Sequence, residues 1–132
     1  MAMAGYAAKV RSMDWLAKPP SLATAGSACV IAWPFLGSGP QGKAPAELCS
    51  GVGSLVTRVA AHPRQPLIAA GFDNGAVAVC GLSSGPKDAV FRVRPDDGER
   101  VTAMAWSRDG TRLAIGTDAG ALSLFDLSYS GA

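Results

Sequence analysis

The stretch VTAMAWSRDGTRLAIGTDAGALSLFDL, residues 101–127, indicates the fold most clearly, because its apolar residues fall at alternate positions. A period of two predicts β-strands, whose successive side chains point to opposite faces of a sheet. Gly110 follows the first apolar run and Gly120 the second, each with an aspartate one or two residues before it, as tight hairpins require. We therefore predict a three-stranded antiparallel meander.

Two further copies of this pattern precede it. Val56 aligns with Val101 at a spacing of 45 residues, and Val10 aligns with Val56 at a spacing of 46. A repeat of this length, built from short strands, predicts propeller blades rather than helical repeats, whose apolar period would be 3.6 residues. At these offsets the apolar positions coincide in four sets: Met13, Val59 and Met104; Leu22, Ile68 and Leu113; Ile31, Val77 and Leu122; Trp33, Val79 and Leu124.

The repeated segments resemble the WD-repeat (WD40) β-propeller family. The resemblance runs over nearly the whole chain from Gly5 onward and is carried by SLATAGSACVIAWPF, AAHPRQPLIAAGFDNGAVAVCGL and AWSRDGTRLAIGTDAGALSLFDL. It implies an all-β fold, a partial β-propeller of three antiparallel blades with four, four and three strands, not closed on its own. The blades are expected over residues 5–50, 51–95 and 96–128 of a single segment, residues 1–132.

The chain departs from the family pattern at characteristic positions. The turn aspartate is present as Asp73 and Asp118 but is Ser27 in the first copy. No copy keeps the family's full side-chain network of aspartate, histidine and first-strand hydroxyl, so the blades are expected to depend on apolar packing and turn geometry. In place of Trp-Asp after the third strand, the chain has Pro34-Phe35, Cys80-Gly81 and Phe125-Asp126.

Three blades are fewer than the four to eight that close a propeller. A chain that begins with a first strand and ends with a third strand is expected to be the C-terminal part of a longer propeller. The alternative is self-association that completes a ring, such as two chains giving six blades. In either case the two end blades are predicted to expose an apolar face.

Composition excludes several classes of function. The twelve basic residues are scattered singly and the net charge is +2, which argues against nucleic-acid binding and against a polybasic membrane patch. The first residues lack the features of a secretory signal, and no stretch approaches the ~20 apolar residues of a membrane span. These features predict a cytoplasmic protein.

The cysteines and the single histidine give no predicted metal or catalytic site. Cys29, Cys49 and Cys80 are odd in number and lack CxxC or CxxH spacing, which argues against a disulfide framework and a zinc site, so we interpret them as small buried apolar residues. His62 is interpreted as a turn residue before Pro63. We predict no enzymatic activity, no cofactor and no metal.

One motif resembles a phosphate-binding loop. Residues 37–44, GSGPQGKA, match GxGxxG and nearly match GxxxxGK[ST]. Ala44 replaces the required hydroxyl, Pro40 removes a backbone donor, and Pro45 with a short outer strand replaces the helix that would face the phosphates. The segment is interpreted as a loop between strands.

The candidate functional site is a rim of hairpin loops. If the resemblance holds, one rim combines the turn aspartates with residues 96–100, and an acidic surface of this kind would favour a basic partner. The alternative is an ordinary solvated set of loops. Trp15 and Trp106, at matching ends of first strands, are interpreted as packing between blades. The candidate partner-binding residues are Asp73, Asp96, Asp97, Glu99, Arg100 and Asp118.

The predicted function is a non-catalytic protein–protein interaction scaffold built from WD-type repeats. One alternative is a fragment of an enzymatic or ligand-binding propeller whose active groups lie in absent blades. Another is a truncated chain without independent activity. The resemblance implies partners that are proteins, and the sequence does not identify them.

Overall fold

The computed structural model describes residues 8–16, 20–35, 46–49, 54–81, 91–94 and 98–126, and these residues contain strands and no helix. Three antiparallel sheets follow one another along the chain, as the partial-propeller prediction requires. Blade one has the order β1-β2-β3-β4, blade two β5-β6-β7-β8 and blade three β11-β10-β9. The strands are β1 Met13–Leu16, β2 Ser21–Thr24, β3 Val30–Pro34, β4 Ala46–Leu48, β5 Val56–Ala61, β6 Leu67–Phe72, β7 Val77–Gly81, β8 Phe91–Arg94, β9 Val101–Trp106, β10 Arg112–Thr117 and β11 Leu122–Asp126.

The predicted hairpins between second and third strands are present in blades two and three. The N–H of Gly75 donates to the Phe72 carbonyl at 3.1 Å, and the N–H of Gly120 donates to the Thr117 carbonyl at the same distance. Both glycines have positive φ, 93° and 85°. A side chain would be strained in that conformation, which is why these two turns contain glycine.

In blade one, the third strand is displaced by one residue from the position that the repeat spacing predicts. Leu22 pairs with Trp33, whereas its counterpart Ile68 pairs with Cys80. The turn of blade one is one residue shorter, and a shift of one residue exchanges the two faces of a strand. Val30 and Ala32 are consequently buried. The predicted equivalence of Ile31 with Val77 and of Trp33 with Val79 is therefore wrong.

The core consists of two layers between blades. One layer packs blade one against blade two and includes Phe72 and Ile68, which are fully buried. The other packs blade two against blade three and includes Leu113 and Ile115. The predicted dependence on apolar packing is consistent with these layers, because each blade buries its apolar face against a neighbour.

A disulfide joins Cys49, just after β4, to Cys80 in β7. Their Cα atoms are 5.8 Å apart although 31 residues separate them. The interpretation of all three cysteines as unpaired apolar residues is wrong for this pair, because packing of blade one on blade two brings them together and sequence spacing does not reveal it. Cys29 is free and buried, and this burial, with Glu47 nearby, raises the pKa of its thiol.

The outward faces of blades one and three expose large apolar side chains, as predicted for end blades. Met13 and Trp15 are each 60% exposed on blade one. On blade three, Leu122 is 80% exposed and Leu124 65%.

Candidate interaction surface

Backbone hydrogen bonds join the turns and the segments leading into the blades along one rim. The N–H of Asp73 donates to the Leu55 carbonyl and the N–H of Asp118 to the Arg100 carbonyl, both at 2.9 Å. Between blades two and three, the N–H of Gly98 donates to the Asn74 carbonyl at 2.7 Å. We call residues 54–55, 73–75, 98–100 and 118–120 the loop rim. Its backbone is held within each blade and across the blade boundary.

The carboxylates of two predicted rim residues accept hydrogen bonds from other residues of the same chain. Asp73 accepts hydrogen bonds from the Ser54 hydroxyl and from the Leu55 N–H, the second at 3.2 Å. Glu99 accepts one from the Thr117 hydroxyl at 2.9 Å. These bonds hold the segments leading into blades two and three against the turns. Blade two thus replaces part of the family network with Ser54, a partner that sequence reasoning missed.

Arg100 and Asp118 are the other two described candidates, and both side chains are exposed. Asp118 lies in the turn between β10 and β11, and its backbone bond to Arg100 places the two residues side by side. Asp96 and Asp97 lie outside the described residues. The structure therefore brings four of the six candidates onto one rim and leaves two of them, Arg100 and Asp118, facing solvent.

At the opposite ends of the strands, His62 connects blades two and three. Its Nδ1 accepts the backbone N–H groups of Arg64 and Gln65, each at 3.0 Å. Its Nε2 lies 2.9 Å from the Gly110 carbonyl, and since Nδ1 is the acceptor, Nε2 carries the proton and donates. His62 is a turn residue, as predicted. The contact with blade three, 48 residues away, gave no signal in the sequence.

The two repeated tryptophans have different environments. Trp106 lies edge to face with His62 at a centroid distance of 4.8 Å and donates its indole N–H to the Ala60 carbonyl at 2.9 Å. It packs between blades, as predicted. Trp15 instead lies on the open face of blade one, where it contacts Phe35 of its own blade at 5.1 Å. Within a single chain, the interpretation as packing between blades holds for Trp106 and is wrong for Trp15.

Side chains in or next to the first strand of one blade form hydrogen bonds with the backbone of the first strand of the next blade. The partners are 44 to 47 residues apart, so each bond crosses from one blade to the next. They comprise Ser12 Oγ with Val59 N at 3.0 Å, Asp14 Oδ2 with Ala61 N at 2.8 Å, Thr57 Oγ1 with Val101 O at 2.7 Å and Arg58 Nε with Thr102 O at 2.6 Å.

Comparison with known families agrees with this architecture. The sequence profile of the anaphase-promoting complex subunit 4 WD40 domain matches residues 59–131, more than half of the chain. The chain belongs to this WD40 domain family. A similar solved structure is the β-propeller domain of Cps50 (Swd1) from Myceliophteria thermophila, with a TM-score of 0.66 and 19% identity. The match covers 89% of the present chain and 38% of the Cps50 chain. No curated protein matches the sequence.

As a WD40 domain family member, the chain has a fold whose general role is to support protein interactions without catalysis. The described residues contain no group of three or more His, Cys, Asp or Glu side chains able to hold a metal ion. Within the same part of the chain, no helix is long and apolar enough to cross a membrane. The phosphate-loop-like motif at residues 37–44 lies outside the described residues.

Proposed function

We propose that this WD40 domain is a non-catalytic protein-binding module and that its partner contacts the loop rim. The observation that carries the proposal is the backbone network that joins Asp73 to Leu55, Asn74 to Gly98 and Asp118 to Arg100. Loops held in this way keep their shape without a ligand, so binding costs little conformational entropy.

The proposed partner surface is basic. Asp118 is exposed on the rim, and the sequence adds Asp96 and Asp97 immediately before residues 98–100. Complementary charge accelerates encounter and selects among partners. Asp73 and Glu99 contribute differently in this proposal, because their bonds to Ser54, Leu55 and Thr117 position the rim rather than face a partner.

The test is charge reversal at Asp118 and at the two aspartates that precede residues 98–100 in the sequence. The variant Asp96→Lys, Asp97→Lys, Asp118→Lys is compared with the unmodified chain for binding to immobilised Arg- and Lys-rich peptides, with acidic peptides of equal length as counterparts. We expect the unmodified chain to prefer basic peptides and the triple variant to lose about tenfold or more in affinity. Equal retention of the two proteins on the basic peptides would refute the proposal.

A matched pair of single variants separates local from general charge effects. Asp118→Lys changes an exposed residue of the rim, and Glu47→Lys makes the same charge change at an exposed position in β4 of blade one. Only Asp118→Lys should weaken binding. Both variants should keep the urea unfolding midpoint of the unmodified chain, which shows that any loss of binding is local.

Two further features bear on the proposed role. The cytoplasmic location predicted from the sequence is itself a proposal. Disulfides persist in oxidising compartments, so in the cytoplasm Cys49 and Cys80 would be thiols.

Self-association through the blade faces is a separate proposal, because it uses none of the loop-rim residues.

A further inference from the structure

The exposed sheet faces of blades one and three resemble the two sides of the interface between blades two and three. The receiving face of blade three lies on the side of the sheet away from blade two, as the strand pairing places it. It consists of small and apolar residues: Ala103, Ala105, Ala114, Gly116, Leu122 and Leu124. The inserting face of blade one lies on the side away from blade two and includes Met13, Trp15, Leu22 and Trp33.

The interface between blades two and three uses the repeat counterparts of both faces. The counterparts of five of these six residues lie 45 residues earlier, at Ala60, Ala69, Gly71, Val77 and Val79, and are buried. The counterpart of Ala103 is Arg58, which is partly buried and donates to the Thr102 carbonyl. Counterparts of Met13, Trp15 and Leu22 in the inserting face lie 91 residues later, at Met104, Trp106 and Leu113, in or against the same core layer. Apart from Ala103, the chain thus carries a second copy of each side, and no other blade of the described residues packs against it.

A close contact shows how specific this match is. At Gly71, an added Cβ would lie 2.4 Å from Cγ1 of Val101, so only glycine fits beneath that valine. The counterpart of Gly71 is Gly116, where an added Cβ would meet only the Cβ of Ala103, at 3.6 Å. The counterpart of Val101 is Val10, which is 39% exposed. The space above Gly116 and the side chain that would fill it are both available.

We propose that the receiving face of blade three binds the inserting face of blade one from a second copy of the chain, head to tail. In this arrangement Val10 of one copy sits over Gly116 of the other. The indole N–H of Trp15 donates to the Ala105 carbonyl, as Trp106 donates to the Ala60 carbonyl within the chain. The proposal is independent of partner binding at the loop rim.

The number of copies follows from closure of the ring. A head-to-tail contact uses a different surface on each partner and closes only when the last copy meets the first. Two copies give six blades, within the range of four to eight that propellers adopt, whereas three copies give nine. For the three blades described, the proposed assembly is therefore a two-copy ring with two identical interfaces.

The first test is Gly116→Ala, read by light scattering after size exclusion. The methyl group has room within one chain but meets Val10 of a second copy, so the variant should raise the dissociation constant of the dimer about tenfold or more. Trp15→Ala should do the same from the opposite face. Arg64→Ala, at an exposed turn position, is the control and should dimerise as the unmodified chain does.

The second test distinguishes a head-to-tail ring from any symmetric contact. When Gly116→Ala and Trp15→Ala chains are mixed, one interface of the mixed dimer carries both changes and the other carries neither. Either change disrupts the interface that carries it, but the mixed pair still joins through its one unmodified interface. The mixture should therefore form dimer at concentrations where each variant alone is monomeric. Three outcomes overturn the proposal: an unmodified chain that stays monomeric at the highest concentration reached, an unchanged Gly116→Ala dimer, or no recovery on mixing. Unchanged urea unfolding of monomeric Gly116→Ala shows that the variant folds.

Discussion

Gly71 determines how closely blade three approaches blade two. It lies in β6 directly under Val101, the first residue of β9. A glycine inside a strand is typical of a site where another part of the backbone approaches closely, but the sequence does not identify the residue that approaches. Val101 lies 30 residues further along the chain, and only the packing of the blades brings it above Gly71.

We predict that Gly71→Ala destabilises the chain. The new Cβ would lie 2.4 Å from Cγ1 and 2.8 Å from Cβ of Val101, a β-branched side chain with little rotational freedom, and 3.3 Å from Sδ of Met104. Overpacking of this kind costs about 1 to 3 kcal/mol of unfolding free energy. Urea unfolding at a protein concentration that keeps the chain monomeric measures the cost.

Gly116→Ala is the matched control for this variant. Its added Cβ has an ordinary 3.6 Å contact with Ala103, and alanine loses less backbone entropy on folding than glycine does. The monomer should be as stable as the unmodified chain or slightly more stable. Equal stability of the Gly71→Ala and Gly116→Ala monomers would contradict the assignment of Gly71 as a packing glycine.

At the scale of the element, the β9–β10 turn is organised by one aspartate. The same Oδ1 of Asp109 accepts the Ser107 hydroxyl at 2.8 Å, the Thr111 hydroxyl at 2.8 Å and the Thr111 N–H at 3.1 Å. These hydrogen bonds, with that of Ser107 the largest contribution, lower the pKa of Asp109 from 3.8 to about 2. The sequence predicted this turn from its Asp and Gly, and the structure adds the two hydroxyl donors.

The lowered pKa predicts a pH dependence of stability. Since the folded state binds the proton less tightly than the unfolded state, the stabilising contribution of Asp109 is present above the usual pKa of 3.8 and is lost as the pH falls towards about 2. Asp109→Asn removes the titrating group. The difference in urea unfolding midpoint between the unmodified chain and Asp109→Asn should therefore become smaller as the pH falls from 3.8 towards about 2. A difference that is constant with pH would contradict the role of the ionised carboxylate.

The strands themselves were predictable where a hairpin has the expected turn chemistry. β5 and β6 carry the alternating apolar residues of the second copy, and the turn after β6 contains Asp73 and Gly75. In blade one the corresponding turn has Ser27 and is one residue shorter. The third strand of blade one is therefore shifted by one residue in its register with the second strand. Alternation of apolar residues predicts that a strand exists, but its register depends on the length of the turn.

At the scale of the whole molecule, the order of three antiparallel blades could be predicted because each blade repeats along the chain. The contacts between blades could not be predicted, because they join residues about one repeat apart that share no sequence motif. His62 with Gly110 is one example and Ser12 with Val59 is another. The same limit applies to the rim, where the sequence grouped the acidic residues but did not show that Asp73 and Glu99 are bound internally.

The Cys49–Cys80 disulfide gives the last prediction, because it joins blade one to blade two within their shared apolar core. Closing a loop of 31 residues in the unfolded chain is expected to contribute about 3 to 4 kcal/mol on the chain-entropy model. Reductant should therefore lower the urea midpoint of the unmodified chain and leave that of Cys80→Ser unchanged. Cys29→Ala, which retains the bond, should respond to reductant as the unmodified chain does. Thiol titration of the unfolded, unreduced chain should find one reactive thiol, from Cys29, and a count of three would show that no disulfide joins the two blades.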